Sequence, residues 1–442
     1  MNVTYPRYWH RGRGLLLVTW LTATTSYLSL FWGATYVGDG FLPHHLLLGL
    51  LATQAVLLAA ALLTHRTGFF SLADYASREP VRLLRFSIIA QGVLLVVSAL
   101  AMSRWNDENF NLAQAVYLGE HGLRAWLRDY GTVNRWLGLH HPPLLPLLYG
   151  AFYNLVGPHV LAGRLFNIVF SLLSLLVAAR LIERVTDKPT AALASLMWLC
   201  FPLWYFNGAA AILEGPFLLV FLLTADAFVR FLQEPKTGRA LVAGALLTLG
   251  LLCRYNIALL IPGMVLILLL PAYRHLWRKP ATWWIAGVPL LCIAPLAGVA
   301  AGSGLLATQA ARLTWMALLA RPGGVHYLLE TMLPLWPLHV GAHVLPLMLL
   351  GLFALYKAGR QTTTLLALGG AYLFLVVLIL PNPRYLLPAV PFIAAGAAIA
   401  LQYLRERNEA DTAVWAGLVG AGMVLTVLTV VGAELSGYYP FY

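Results

Sequence analysis

Residues 84–102 read LRFSIIAQGVLLVVSALAM, and residues 103–110 continue as SRWNDENF. The first stretch is an apolar run of the length, about 18 residues or more, that crosses ~30 Å of hydrocarbon as a helix. Its apolar positions are continuous, without the alternation of a membrane-barrel strand. Backbone groups in lipid must be satisfied within their own segment, which again selects a helix. The second stretch places two adjacent carboxylates, Asp107 and Glu108, directly after that run, where hydrocarbon gives way to water.

Working outward, similar runs recur at 14–36, 44–64, 160–182, 189–207, 212–232, 239–253, 256–272, 282–301, 340–357, 363–381, 386–403 and 413–432. Together they predict an all-α integral membrane protein, a polytopic bundle of about 13 transmembrane helices. The composition agrees. Of 442 residues, 60% are hydrophobic and 10% charged, with mean hydropathy +0.76, whereas a soluble domain carries about 25% charged residues. The segment 142–156 is apolar but short and opens on Pro142 and Pro143, so it reads as a re-entrant or interfacial helix or as a further span. The first run is too long for the apolar core of a signal peptide and lacks a cleavage motif, so it reads as a retained span. Cys200, Cys253 and Cys292 lie inside apolar runs, without disulfide or zinc spacing.

The net charge of +12 is read as anchoring of cytoplasmic loops rather than as a nucleic-acid surface. With the N-terminus in the cytoplasm, 20 of the 29 Lys and Arg residues fall on the cytoplasmic side and 9 outside. That asymmetry predicts a multi-pass plasma (inner) membrane protein with its N-terminus in and its C-terminus out. Two long outer loops result, 103–141 and 302–339. The first mixes Trp, Tyr, Leu and charge, the pattern of amphipathic helices lying on the membrane surface.

The candidate chemistry gathers at the outer boundary. Asp107 and Glu108 suit a general base or metal ligation; a solvated loop start is the plainer explanation. His140 and His141 precede the Pro-initiated segment, close to a helix N-terminus that favours phosphate, or form an ordinary interfacial pair. Glu214 opens an apolar run in NGAAAILEGPFLL. An acid beside hydrocarbon is a functional candidate, although a helix dipole also favours it. Asp226 sits four residues before Arg230, which a helical ion pair explains. Arg254-Tyr255 and Arg384-Tyr385, the latter in PNPRYLLP, lie in short outer turns and break the positive-inside trend. Arginine offers a two-pronged grip on phosphate, or snorkels to the interface. Taken together, the set suits a substrate with a phosphate and a reacting hydroxyl.

In this order the motifs resemble those of the GT-C glycosyltransferases, in particular the bacterial branch similar to dolichyl-phosphate-mannose-protein mannosyltransferases and aminoarabinose transferases. The resembling stretch runs from about 84 to 275: a span ending on Asp107-Glu108, the outer loop, HHPPL, LAGRLFNIVFSLLSLLVAARLIERV and GLLCRYNIALLIPG, with PRYLLP further on. The resemblance implies inverting transfer of a sugar from a polyprenyl-phosphate-linked donor on the extracytoplasmic face. It implies Asp107 as the catalytic acid-base group with Glu108 beside it. His141, Arg254, Arg384 and Tyr385 would hold the donor phosphate. Glu214 and His140 would orient the sugar, and Asp107 with Glu214 would hold a divalent metal ion if one takes part. Glu214 stands where many members have Asp, and Arg254 where many have Lys. The implied organisation is an additional hairpin at 1–82, a catalytic module at 83–301 and a C-terminal membrane region at 302–442. Membrane lipids are expected partners, and the acceptor is left open among protein, lipid and glycan. A transporter or flippase, and a catalytically silent subunit of a larger complex, are the rival classes. The first would need ionisable groups at the bilayer midplane, broken helices and paired repeats.

Overall fold

The computed structural model describes residues 72–102, 104, 106–129, 142–301, 360–379 and 383–405. The expected spans 14–36, 44–64, 340–357 and 413–432, the loop 302–339, and His140 and His141 lie outside the described residues. Among the described residues there are thirteen α-helices and no strand. In chain order they are α1 (Leu72–Arg78), α2 (Pro80–Ala101), α3 (Asn106–Asp129), α4 (Leu144–Val156), α5 (Val160–Val185), α6 (Lys188–Met197) and α7 (Pro202–Ala209). Then follow α8 (Glu214–Gln233), α9 (Thr237–Cys253), α10 (Leu260–Leu269), α11 (Pro280–Ala301), α12 (Arg360–Ile379) and α13 (Val390–Arg405).

Three of these, α2, α5 and α8, are long and apolar enough to cross a membrane by themselves. They pack with α6, α9, α11, α12 and α13 into one bundle, α8 lying against both α5 and α9, and α6 against α2, α5 and α13. Aromatic side chains fill the centre: Trp198, Trp204, Phe206, Phe221, Phe228 and Tyr372 are fully buried. The outward faces keep Ile89, Val93, Leu100, Leu173, Leu290 and Leu291 exposed, as lipid-facing positions require.

One run differs from its sequence reading, and the short segment 142–156 forms a short helix as expected. The run 189–207 is not one helix. It stops at Met197, passes through a 3-10 turn over Trp198–Cys200, and restarts at Pro202 after an extended Phe201. The cause is Pro202, which lacks an N–H and biases the preceding residue towards extended backbone. The segment 142–156 forms α4, whose 13 residues reach only about 20 Å at ~1.5 Å per residue, short of the ~30 Å hydrocarbon core. It lies instead along α3. Asn154 Nδ2 donates to the Ala115 carbonyl at 3.1 Å, and the Gly150 Cα approaches Ala115 and Leu118 closely enough that an added Cβ would press on the Leu118 side chain. The loop 103–141 carries the expected helix, α3, bent at Gly122, whose φ of 76° is a glycine conformation. Across the bend Tyr117 Oη donates to Asp129 Oδ2 at 2.7 Å.

Hydrogen bonds fix which helix ends lie together. The start of α5 meets the end of α2, and the start of α8 meets the end of α9. The turn before α13 meets the start of α3. At the opposite end, Asp226 accepts from Arg184 at 2.9 Å and from Arg230 at 2.7 Å.

Candidate active site

One bundle end holds two acids, two arginines and a tyrosine in direct contact. Glu214, in the first turn of α8, accepts from Arg254 Nη1 at 2.5 Å, and its Oε1 lies 3.7 Å from Arg384 Nε. Arg384 Nη1 in turn donates to Asp107 Oδ2. The Tyr385 ring lies between the two guanidinium groups, 5.0 Å from Arg254 and 5.3 Å from Arg384, in cation–π range. Arg254 also lies 5.8 Å from the Phe217 ring. Each residue owes its place to a chain terminus or turn. Glu214 sits at the positive end of α8 and Arg254 caps the negative end of α9, each favoured there by the helix dipole. Arg384 and Tyr385 ride on the 3-10 turn Pro383–Ala389, and the Tyr385 carbonyl is fixed by the buried Tyr372 hydroxyl at 3.0 Å.

The two ion pairs differ in access. The side chains of Glu214 and Arg254 are each 4% exposed, while those of Asp107 and Arg384 are 22% and 19% exposed. The first pair is part of the interior; the second is partly open to the surface.

Glu108 points the other way. It is fully buried, and Arg164 grips it with two parallel bonds, Nε to Oε1 and Nη2 to Oε2, both 2.8 Å. Its Oε1 also accepts from the Ala211 backbone N–H at 2.8 Å. Arg164 Nη1 donates further to the carbonyls of Ala99 and Met102 at 2.7 and 2.8 Å, closing the end of α2, whose last carbonyls lack helical partners. One buried ion pair thus joins α2, α3, α5 and, through Glu108, the segment before α8. That segment is held from several sides. Asn111 donates to the Ala211 carbonyl at 2.9 Å, and Asn167 donates to those of Asn207 and Gly208 at 3.0 Å. Tyr149 donates to the Ile212 carbonyl at 2.7 Å, and Ser171 to that of Gly208 at 3.0 Å. An added Cβ on Gly215 would fall 2.2 Å from Asn167 Oδ1, so only glycine lets α8 start this close to α5.

Of the residues singled out in the sequence, Asp107, Glu214, Arg254, Arg384 and Tyr385 come together. Glu108, expected beside Asp107 as a catalytic carboxylate, is held behind them by Arg164 and the Ala211 N–H. The residues not foreseen are Arg164, Asn167, Ser171, Asn111 and Tyr149. For three of them a signal existed: Arg164, Asn167 and Ser171 recur at helical spacing, with Ser174 continuing the row, through an otherwise apolar span, a single polar stripe.

The residues do not fit a divalent metal ion. Asp107 and Glu214 each face a guanidinium, and a cation placed between them would meet two fixed positive charges at close range. Among the described residues no three His, Cys, Asp or Glu side chains converge as a ligand set.

Residues 140–299 match the family model described as dolichyl-phosphate-mannose-protein mannosyltransferase. The structure of ArnT from Cupriavidus metallidurans in the apo state is similar over 80% of this chain and 78% of that one, with TM-score 0.56 and 16% sequence identity. The fold of this chain is therefore like that of ArnT. ArnT from the same organism bound to undecaprenyl phosphate is similar over the same shares, 80% and 78%, with TM-score 0.52 and 16% identity. No curated protein matches the chain by sequence. The family match contains Glu214 and Arg254 but ends short of Asp107 on one side and Arg384 on the other. The likeness in fold extends over four fifths of the chain, and the four charged residues share one end of this bundle.

Proposed function

We propose that this chain is a membrane glycosyltransferase that moves a hexosyl or pentosyl group from a polyprenyl-phosphate carrier to an acceptor hydroxyl, with inversion. The observation that carries this reading is the contact of Asp107 and Glu214 with Arg384 and Arg254 at one end of a GT-C bundle. The undecaprenyl phosphate bound to the similar ArnT supports a donor of that kind. In the reaction, Asp107 takes the proton of the acceptor hydroxyl as its oxygen attacks the anomeric carbon. The bond from that carbon to the phosphate oxygen breaks, and the phosphate leaves with the electron pair. Arg384 and Arg254 face the charge that grows on the leaving oxygen, in a poorly solvated place where such stabilisation is strong. Glu214 keeps Arg254 charged and aimed, and Tyr385 spaces the two guanidinium groups. Glu108 and Arg164 are positioning residues: they fix the first turn of α3, and with it the Asp107 backbone.

A transporter reading would place ionisable groups at mid-membrane. The broken α6–α7 segment is of the right kind, but from residue 189 to 213 the sequence contains no Asp, Glu, Lys or Arg. The test is transfer by purified protein in lipid nanodiscs, read as release of polyprenyl phosphate. Asp107→Asn keeps the size and polarity of the side chain and removes the base, and loss of a general base costs about 10²–10⁴-fold in rate. Parent-like turnover in Asp107→Asn would exclude Asp107 as the base.

A further inference from the structure

Two roles in this site compete for one contact. A base needs its carboxylate at the acceptor hydroxyl, and a phosphate ligand needs its guanidinium at the donor. Asp107 and Arg384 instead hold each other. The neighbouring pair, Glu214 with Arg254, is closed off from solvent, whereas Asp107 and Arg384 are about one fifth exposed. An incoming anion therefore meets Arg384 first, with Arg254 acting from behind it.

The surroundings make the exchange one-sided. Arg384 keeps its place without Asp107, because its guanidinium rests over the Tyr385 ring and Glu214 Oε1 lies 3.7 Å from its Nε. Among the described residues Asp107 has no comparable second anchor, while the backbone beneath it is pinned through Glu108 and Arg164. A change of rotamer at Asp107 thus frees Arg384 without disturbing α3. The charges point the same way. Two acids and two arginines are balanced as they stand. A phosphate adds negative charge, which disfavours a second anion on the same arginine and raises the proton affinity of the one displaced.

We infer that the donor phosphate displaces Asp107 from Arg384, so that Asp107 is released as a base only after the donor is bound. The resting ion pair then imposes an order, donor before acceptor, and keeps the base masked in its absence. This rests on the polyprenyl-phosphate donor proposed above.

The contact is tested by binding alone. Undecaprenyl phosphate, without a sugar, is titrated onto the full-length protein in nanodiscs for the parent, Asp107→Asn, Arg384→Ala and the double variant. Removing a competitor from a partly exposed pair is expected to tighten binding about threefold to tenfold in Asp107→Asn. Arg384→Ala should weaken binding, and Asp107→Asn should add nothing in that background, because the coupling of neighbouring residues shows only while both are present. Asp107→Ala, which has no amide to bond Arg384, repeats the test should the asparagine variant not purify as a folded protein. Unchanged or weaker binding in the Asp107 variants overturns the displacement, as does equal tightening with Arg384 absent, which would be a general effect of charge. Failure of the parent to bind undecaprenyl phosphate overturns the donor assignment itself. Turnover by Asp107→Asn overturns only the base.

Discussion

Arg384 meets Asp107 across 277 residues of sequence. Either residue alone was visible in the sequence for a physical reason: charge beside hydrocarbon is costly and calls for a partner or a task. What the sequence did not contain was the pairing, since nothing in PNPRYLLP says which of several acids its arginine will meet. Glu108 shows the converse. It neighbours Asp107 in the chain, yet the helical turn sends the two carboxylates to different partners, one to Arg384 at the site and one to Arg164 in the interior. Adjacent residues on a helix do not share a face, so the carboxylate pair could not act as one group. Arg384 also separates charge from geometry. Arg384→Lys keeps the positive charge and loses the planar fork that matches phosphate; Arg384→Ala loses both. Transfer is expected to fall about tenfold in the lysine variant and on the order of a hundredfold in the alanine variant, in line with the loss of one charge-assisted donor at developing charge. Steady-state rates in nanodiscs at saturating acceptor give the comparison. Equal activity in all three proteins would reduce Arg384 to an interfacial arginine.

At the scale of elements, the junction of α2, α3 and α5 depends on one buried ion pair. Glu108 and Arg164 have side chains 0% and 6% exposed, and removing one partner of such a pair leaves a charge stranded in the interior at a cost of about 3–5 kcal/mol. Glu108→Ala should therefore lower the thermal midpoint of the purified protein far more than Asp107→Asn, whose partly exposed contact is worth about 1 kcal/mol or less. The double variant Glu108→Ala with Arg164→Met removes the stranded charge and should regain part of the loss. Recovery should remain incomplete, because Arg164 also serves the carbonyls of Ala99 and Met102. A thermal midpoint unmoved by Glu108→Ala would mean that the junction is held by apolar packing alone. Individual helices were legible in the sequence to different degrees. The long runs that became α2, α5 and α8 declare themselves by length and hydropathy. The break between α6 and α7 was also written in the sequence, at Pro202, but a count of apolar residues passes over it. The docking of α4 along α3 was not legible, because it depends on close approach at Gly150 and on Asn154 reaching a backbone carbonyl on another helix.

Across the whole molecule, charge is distributed unequally between the two bundle ends. At the end with the candidate site, Arg164, Arg254 and Arg384 each face a carboxylate. These three are among the arginines that depart from the positive-inside trend, and their ion pairs account for them locally. The other end carries Arg184, Arg230, Lys236, Arg239, Arg274, Arg278 and Lys279, and two of its acids, Asp226 and Glu234, are each shared by two basic side chains. An unbalanced excess of basic residues is what retains a membrane face in the cytoplasm. The site would then open on the opposite, extracytoplasmic side. The orientation is checked with single cysteines in a background in which Cys200, Cys253 and Cys292 are replaced. Glu120 on α3 and Lys279 before α11 are both exposed and belong to opposite ends, so neither substitution disturbs a core. Glu120→Cys is expected to react with a membrane-impermeant thiol reagent added to intact cells, and Lys279→Cys only after the membrane is opened. The reverse pattern would put Asp107, Glu214, Arg254 and Arg384 on the cytoplasmic face, and the transfer proposed here would have to draw on a donor presented from that side.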